Sequence, residues 1–351
     1  MSIYVSICCL GRDTELIHTI RSAKDNASSS DKIHMGIVCI GDENFYNEIV
    51  SLTSGYSNLK IEYYDSSKEH LGVGFGRHAS ASLYEDQDYF LQIDAHTFFM
   101  QDWDLSLEEK FSSALKRTKN NKTVLSGFPG RYGYIDDEGN DVFWIDDRHR
   151  YPYYIKGVHY INIPNGNEYI NLVPGWNDGH EVELKEKFFK KLEKNKAMPL
   201  TKISAAFIFG NREFAKNINL PKDAIFWDEE IIQTINLIGD GFCLAYVGPT
   251  IPIMHLYSSD VMDERGSRDN IDKFWIEEFG QDGRLTITKS NYFRFYKDKR
   301  NAKKIKTYDK YIGFNSMLGP TSNRIKYPNR FINAKRFRDY FPQPQGRGGW
   351  F

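Results

Sequence analysis

Cysteine is scarce in this chain: four among 351 residues, at Cys8, Cys9, Cys39 and Cys243, with no CxxC pair and no regular spacing. That excludes a disulfide-stapled or zinc-ribbon scaffold and predicts buried, reduced thiols inside apolar strands. No apolar run approaches the ~18 residues of a membrane span. The opening residues, MSIYVSICCLGRDTEL, have no basic stretch ahead of a long apolar one. A soluble, cytoplasmic protein without membrane contact is therefore expected. An excess of one charge is also missing, since 46 Lys+Arg stand against 47 Asp+Glu for a net of −1. The chain contains no GxxxxGK[ST], HExxH or GxSxG pattern, which removes the motif grounds for P-loop, zincin and nucleophile-elbow chemistry.

What is present is apolar and aromatic: 40% hydrophobic residues, 15% Phe, Trp and Tyr, enough for one large domain or two smaller ones. IYVSICCL reads as a strand stopped at Gly11-Arg12-Asp13, and TELIHTIRSAKD as a helix with Leu16, Ile17 and Ile20 at helical spacing. HMGIVCIG, LKIEYYD and YFLQID are further strands, with the glycine loop and helix of HLGVGFGRHASASLYED before the last. A helix near 104–118, strands in TVLSGFPG and KISAAFIFG, a helix in DEEIIQTINLIGDGF and closing strands in CLAYVGPTIPIMHLY complete the alternation. Residues 131–200 read as irregular, with a Lys/Glu-rich helix at 181–195. Strands alternating with helices predict an α/β fold with a mostly parallel central sheet flanked by helices. In such sheets the site lies beyond the carboxyl ends of the strands. Gly11-Arg12-Asp13 and Asp94-Ala95-His96 both fall there.

An aspartate and a histidine at i and i+2 beyond a strand can point the same way from extended backbone. A carboxylate with an imidazole suits Mn²⁺ (or Mg²⁺), with the remaining positions open to water or substrate phosphates. The competing reading has Asp94 capping the next helix and His96 as an ordinary surface residue. Gly72-Val73-Gly74-Phe75-Gly76-Arg77 superficially resembles a dinucleotide loop, but its sixth position is Arg77 and it does not follow the first strand in a tight turn.

Five segments, IYVSICCLGRD, GFGRHASASLYEDQDYFLQIDAHTFFMQDWD, SAAFIFGNREF, FWDEEI and IPIMHLY, occur in this order. Together they resemble the cytoplasmic polypeptide N-acetylglucosaminyltransferases that modify hydroxyproline and, more distantly, the mucin-type N-acetylgalactosaminyltransferases. The resemblance covers roughly residues 3–104 and 203–258. It implies a GT-A-type nucleotide-sugar transferase fold, a UDP-sugar donor, Mn²⁺ held through an Asp-x-His motif, and retention of anomeric configuration. On it, Asp94, His96 and His255 are the metal ligands. Arg12 and Asp13 lie beside the nucleotide, and Gly74, Gly76, Arg77 and Asp94 beside the diphosphate. Asp228, Glu229 and Glu230 border the sugar and acceptor as the catalytic group, with Phe207 and Trp227 on the acceptor side. Trp103 and Asp104 match a structural Trp-Asp pair. The family's Phe-x-Gly-Glu-Glu is here Phe226-Trp227-Asp228-Glu229-Glu230, and the lost glycine puts the sugar's identity in question.

The expected organisation is a catalytic domain over 1–258, with 131–200 as a variable acceptor-side insertion, and a basic aromatic region over 259–351. From Lys289 onward there are 16 Lys+Arg against three Asp+Glu, and 14 aromatic residues interleaved with them. The body before it is correspondingly acidic. Such a tail suits phosphates and exposed bases, or it packs its rings on the acidic body. The reading is a metal-dependent glycosyltransferase acting on a hydroxyl, with a hydroxymethylated base in DNA as the favoured acceptor. The alternatives are a hydroxyproline, serine or threonine of a polypeptide, or nucleic-acid binding on an inactive transferase scaffold.

Overall fold

The computed structural model describes residues 1–66, 71–135, 141–146, 155–162, 168–174, 198–200, 202–225, 227–246, 251–256, 290–291 and 293–312. The helix expected at 181–195 and the tail beyond 312 lie outside these residues. The expected alternation appears at the N-terminal end as β1 (Ile3–Leu10), α1 (Leu16–Asp25), β2 (Ile33–Ile40), α2 (Glu43–Leu52), β3 (Leu59–Tyr64), α3 (Val73–Ser82) and β4 (Tyr89–Asp94). Next come β5 (Thr97–Phe99), α4 (Trp103–Thr118), β6 (Thr123–Ser126), β7 (Gly130–Ile135) and β8 (Asp141–Asp146). Strands β9 (Ile155–Asn162) and β10 (Glu168–Pro174) form an antiparallel ribbon, and β11 (Met198–Pro199) is a short edge. The described chain closes with β12 (Phe207–Asn211), α5 (Arg212–Asn217), α6 (Trp227–Gly239), β13 (Cys243–Tyr246), β14 (Ile253–His255) and α7 (Ala302–Ile312).

The eight-stranded sheet has the order β11-β13-β6-β12-β4-β1-β2-β3, and its β3-β2-β1-β4 half is entirely parallel. All eight residues of β1 are buried, as a parallel strand covered on both faces requires. Its even positions face α3: Tyr4 hydroxyl donates to the Ser80 carbonyl, and the Ser6 and Ser80 hydroxyls are 2.7 Å apart. This is the α/β architecture, a central sheet flanked by helices, that the sequence led us to expect. A second sheet, β5-β14-β7-β8, occupies part of the segment read as irregular. There the alternating aromatic and apolar residues of GRYGYI and DVFWID build strands.

The glycines expected to admit a phosphate instead admit protein. A Cβ on Gly76 would come within 2.1 Å of the Cys8 sulfur, and one on Gly74 within 2.2 Å of the Pro221 carbonyl oxygen. They let α3 lie closely on β1 and on the 221–225 segment. The C-terminal region also joins the core. Helix α7 packs on α6, with Tyr308 and Tyr311 buried in the main hydrophobic cluster and the Tyr311 hydroxyl donating to the Leu200 carbonyl at 2.7 Å. The boundary expected at 258 therefore does not separate α7 from the body. Four of the five described rings of 293–312 are used for packing, Phe295, Tyr296, Tyr308 and Tyr311. All four cysteines are buried and unpaired with one another, as expected. No helix among the described residues is long and apolar enough to cross a membrane.

The α3 contact gives a direct test. Gly76→Ala gains helix propensity of up to ~1 kcal/mol but drives a methyl into Cys8, an overlap costing roughly 1–3 kcal/mol. Denaturant melts are expected to show a net loss of stability that Cys8→Ala, made in the same chain, largely reverses. An unchanged or raised midpoint in the single variant would contradict this packing.

Candidate active site

The site is built where the chain leaves one sheet for the other. Asp94 ends β4, in register with Cys8 of β1, and Thr97 begins β5, leaving only Ala95 and His96 to make the crossing. Helix α1 fixes this link through one hydroxyl: Thr19 donates to the Ala95 carbonyl at 2.7 Å and accepts from the Thr97 amide at 2.9 Å. Strand β14 then pairs antiparallel with β5, His255 opposite Thr97, and the Leu256 amide donates to the His96 carbonyl at 3.1 Å. Two residues 161 positions apart are thereby joined, with His255 Nε2 3.1 Å from Asp94 Oδ2. The His96 and His255 rings meet edge to face, centroids 4.6 Å apart. Asp94, His96 and His255 each offer a ligand atom, all within 4.8 Å of one another. The alternative in which Asp94 caps a helix does not arise, because a strand follows it.

Asp94 is held on its other oxygen by Arg77, whose Nη2 lies 2.5 Å from Oδ1, while Arg77 Nη1 pairs with Glu229 Oε2. Arg77 is buried, so the guanidinium expected at the diphosphate bridges two carboxylates of the chain instead. Burial disfavours the Asp94 carboxylate, but Arg77 and the two histidines outweigh it and hold Asp94 well below the usual range. Glu229 goes the other way. Burial, with Glu230 and Asp94 adding repulsion, outweighs Arg77 and pushes it up to about 7. The Arg77–Asp94 ion pair is costly to break, about 3–5 kcal/mol when one partner is removed, because the other charge is left uncompensated.

Asp13 projects from beyond β1, after Gly11 turns the backbone in the left-handed region at φ 62°. Its Oδ2 lies 2.7 Å from His96 Nδ1 and its Oδ1 accepts the Glu15 amide at 3.2 Å. Arg12 points away to the surface, pairing with Glu48 at 2.6 Å over the Phe45 ring. The remaining members of the expected catalytic group serve the fold. Asp228 is fully buried and accepts from the Ile225 amide and, at 3.0 Å, from the Asn291 side chain. The aspartate that replaces the family's glycine thus pins its own loop. Glu230 accepts the Ala205 amide at 2.9 Å and pairs with Lys202 at 2.7 Å. Phe207, expected at the acceptor, is a core residue of β12 opposite Ile93, out of reach of any ligand. Trp227 opens α6, and its side chain lies outside the described residues. Trp103 and Asp104 are structural, as expected. The Trp103 indole donates to the Ala23 carbonyl, and Asp104 accepts from the Ser28 amide and hydroxyl.

Sequence reading missed two groups beside the ligands. Glu15 is buried and accepts from the hydroxyls of Tyr132 and Tyr134 at 3.2 and 2.8 Å; the Tyr-x-Tyr alternation was the available signal. Arg131 is the parallel register partner of His255, so its side chain shares that face of the small sheet, and it lies over the Trp144 ring at 5.8 Å.

Glu229 supplies a pH test. The native state keeps its proton up to about 7, whereas an unperturbed glutamate releases it near 4.5. Its contribution to stability is therefore full below about pH 4.5 and is lost as pH rises through about 7. In metal-free protein, Glu229→Gln is expected to flatten the pH dependence of Tm between about pH 5 and 7. Identical slopes in the two proteins would contradict the assignment.

Comparison with known proteins gives a family match and two distant structural likenesses. The profile of the family described as Glycosyltransferase (GlcNAc) matches residues 56–305. No curated protein matches the sequence significantly. Among solved structures, GalNAc-T7 with UDP, GalNAc and Mn²⁺ aligns at 14% identity and a TM-score of 0.48, over 88% of this chain and 54% of that one. This chain thus spans about half the length of GalNAc-T7. TarS 1–349 of S. aureus with UDP-GlcNAc aligns at 10% identity and a TM-score of 0.44, over 86% and 74% of the two chains. The match over 56–305 takes in the glycine segment, Asp94, His96, the Asp228–Glu230 group, His255 and the start of α7, and by it this chain belongs to the Glycosyltransferase (GlcNAc) family.

Proposed function

We propose that this glycosyltransferase is metal-dependent, takes UDP-linked N-acetylglucosamine, and passes the sugar to a polypeptide hydroxyl with retention of configuration. The observation that carries the reading is the Asp94–His96–His255 triangle. One carboxylate and two imidazoles suit Mn²⁺ better than Mg²⁺, which prefers oxygen, and three protein donors leave positions for diphosphate oxygens. A divalent ion held there would neutralise charge on the departing UDP. The chain's own groups prepare that state. Arg77 keeps Asp94 ionised, so a cation meets a carboxylate with no proton to displace. The Thr19 clamp and the β5–β14 pairing keep both histidines on it, the preorganisation that electrostatic catalysis depends on. Retention follows from the family resemblance, and no protein nucleophile is assigned.

The acceptor follows from the tail. A hydroxymethylated DNA base drew its support from rings interleaved with cations. In 293–312 four of the five rings are turned inward: Tyr308 and Tyr311 are buried, Phe295 and Tyr296 pack against the core, and Phe293 lies under Lys297. Buried rings do not stack on bases. A hydroxyproline, serine or threonine side chain becomes the better-supported class.

The test is a panel of UDP-sugars assayed for Mn²⁺-dependent hydrolysis and for transfer to hydroxyl-bearing peptides and to hydroxymethylated duplex DNA. UDP-GlcNAc is expected to be used best, a chelator to abolish turnover, and Asp94→Ala to lose at least 100-fold in rate while remaining folded, a loss of the size seen when charge-stabilising groups are removed. Full turnover in chelator would refute metal dependence. Transfer to the DNA alone, with binding that weakens steeply with salt, would return the acceptor to DNA.

A further inference from the structure

We propose that Asp13 is a positioning residue for the metal centre: it fixes the tautomer and orientation of His96 and does not bind the nucleotide. The inference rests on the reading of Asp94, His96 and His255 as metal ligands. Asp13 is 1% exposed and His96 7% exposed, and the 2.7 Å contact between Asp13 Oδ2 and His96 Nδ1 is made in a buried setting. The second carboxylate oxygen is taken by the Glu15 amide, so the carboxylate cannot swing away. An ionised carboxylate only accepts hydrogen bonds. Nδ1 must therefore carry the proton, which leaves the lone pair on Nε2 for the ion. A carboxylate behind a ligating histidine also raises the basicity of the ring and usually sets metal affinity by 10–100-fold.

The fold builds this relay on two adjacent parallel strands. Asp13 follows β1 through the Gly11 turn, His96 follows β4 through the Thr19-clamped link, and β1 and β4 are paired in register up to Cys8 and Asp94. A residue that recognised the ribose would need an oxygen turned towards the donor. Both Asp13 oxygens are engaged with the protein and almost no surface remains.

The experiment measures Mn²⁺ binding to the full chain by the EPR signal of the free ion, for wild type, Asp94→Ala, Asp13→Ala, Asp13→Asn, His96→Ala and the Asp13→Ala/His96→Ala double variant. Wild type is expected to bind Mn²⁺, and Asp94→Ala to lose that binding. Asp13→Ala should bind roughly 10–100-fold more weakly, with Asp13→Asn in between. The double variant should be no weaker than His96→Ala, since Asp13 acts only through that ring. Uridine binding, which needs no metal, should be unchanged in Asp13→Ala. A readout that needs neither metal nor turnover is the ¹⁵N spectrum of His96. It should show the Nδ1–H tautomer in wild type and lose it in Asp13→Asn, which also serves if Asp13→Ala does not fold. Wild-type Mn²⁺ affinity in Asp13→Ala, additive losses in the double variant, or weakened uridine binding would each overturn the proposal. If wild type binds no Mn²⁺, the metal reading fails and this inference with it. Mn²⁺ binding that is lost with Asp94 but indifferent to Asp13 sinks this inference alone.

Discussion

A half-buried carboxylate at the end of a central strand has to be compensated, and Asp94, its side chain 23% exposed, is compensated twice. Arg77 takes one oxygen and His255 faces the other. Much of the architecture around the site follows from that arrangement. Arg77 needs α3 close to the sheet, hence a glycine over Cys8. Its second partner, Glu229, is held at the start of α6 by the Asp228-pinned loop. His255 needs a strand that leaves the main sheet and pairs with β5. The charge is paid for by geometry rather than by solvent, and that keeps it available to a cation.

The strand-and-helix alternation was legible because parallel strands buried on both faces are continuous apolar runs, and because glycines end them. Asp94 and His96 could be read as a pair because extended backbone sends i and i+2 the same way. His255 was legible only through the resemblance, since nothing in IPIMHLY distinguishes a ligand from a core histidine. The pairings Arg77–Glu229 and Asp13–His96, 152 and 83 positions apart, could not be read locally. They depend on which strands become neighbours. Phe207 was misplaced by motif reasoning because it is one of a run of apolar β-strand residues, and strand register alone decides which of these faces a site.

The tail shows a similar difficulty. Ile305, Tyr308 and Tyr311 recur at helical spacing, the stripe of an amphipathic helix, with Lys303, Lys304, Lys306 and Lys310 among the remaining positions. Counted as composition, these residues suggest polyanion binding. Placed on a helix, the rings go inward and Lys304 pairs with Asp240 of the acidic body at 2.7 Å. Aspartate at 228 reads as a change in the sugar site when compared with the family pattern, yet its contacts are with the backbone of its own loop and with Asn291. Its effect on specificity, if it has one, acts through the stiffness of that loop.

Asp94, His96 and His255 meet at the join of the two sheets, where we propose that they hold one divalent ion. Anomalous diffraction at the manganese edge, from crystals grown with Mn²⁺ and UDP, tests it most directly. The account predicts a single strong peak within coordination distance of those three side chains and of diphosphate oxygens. Bound UDP with no manganese between Asp94 and the two histidines would contradict it.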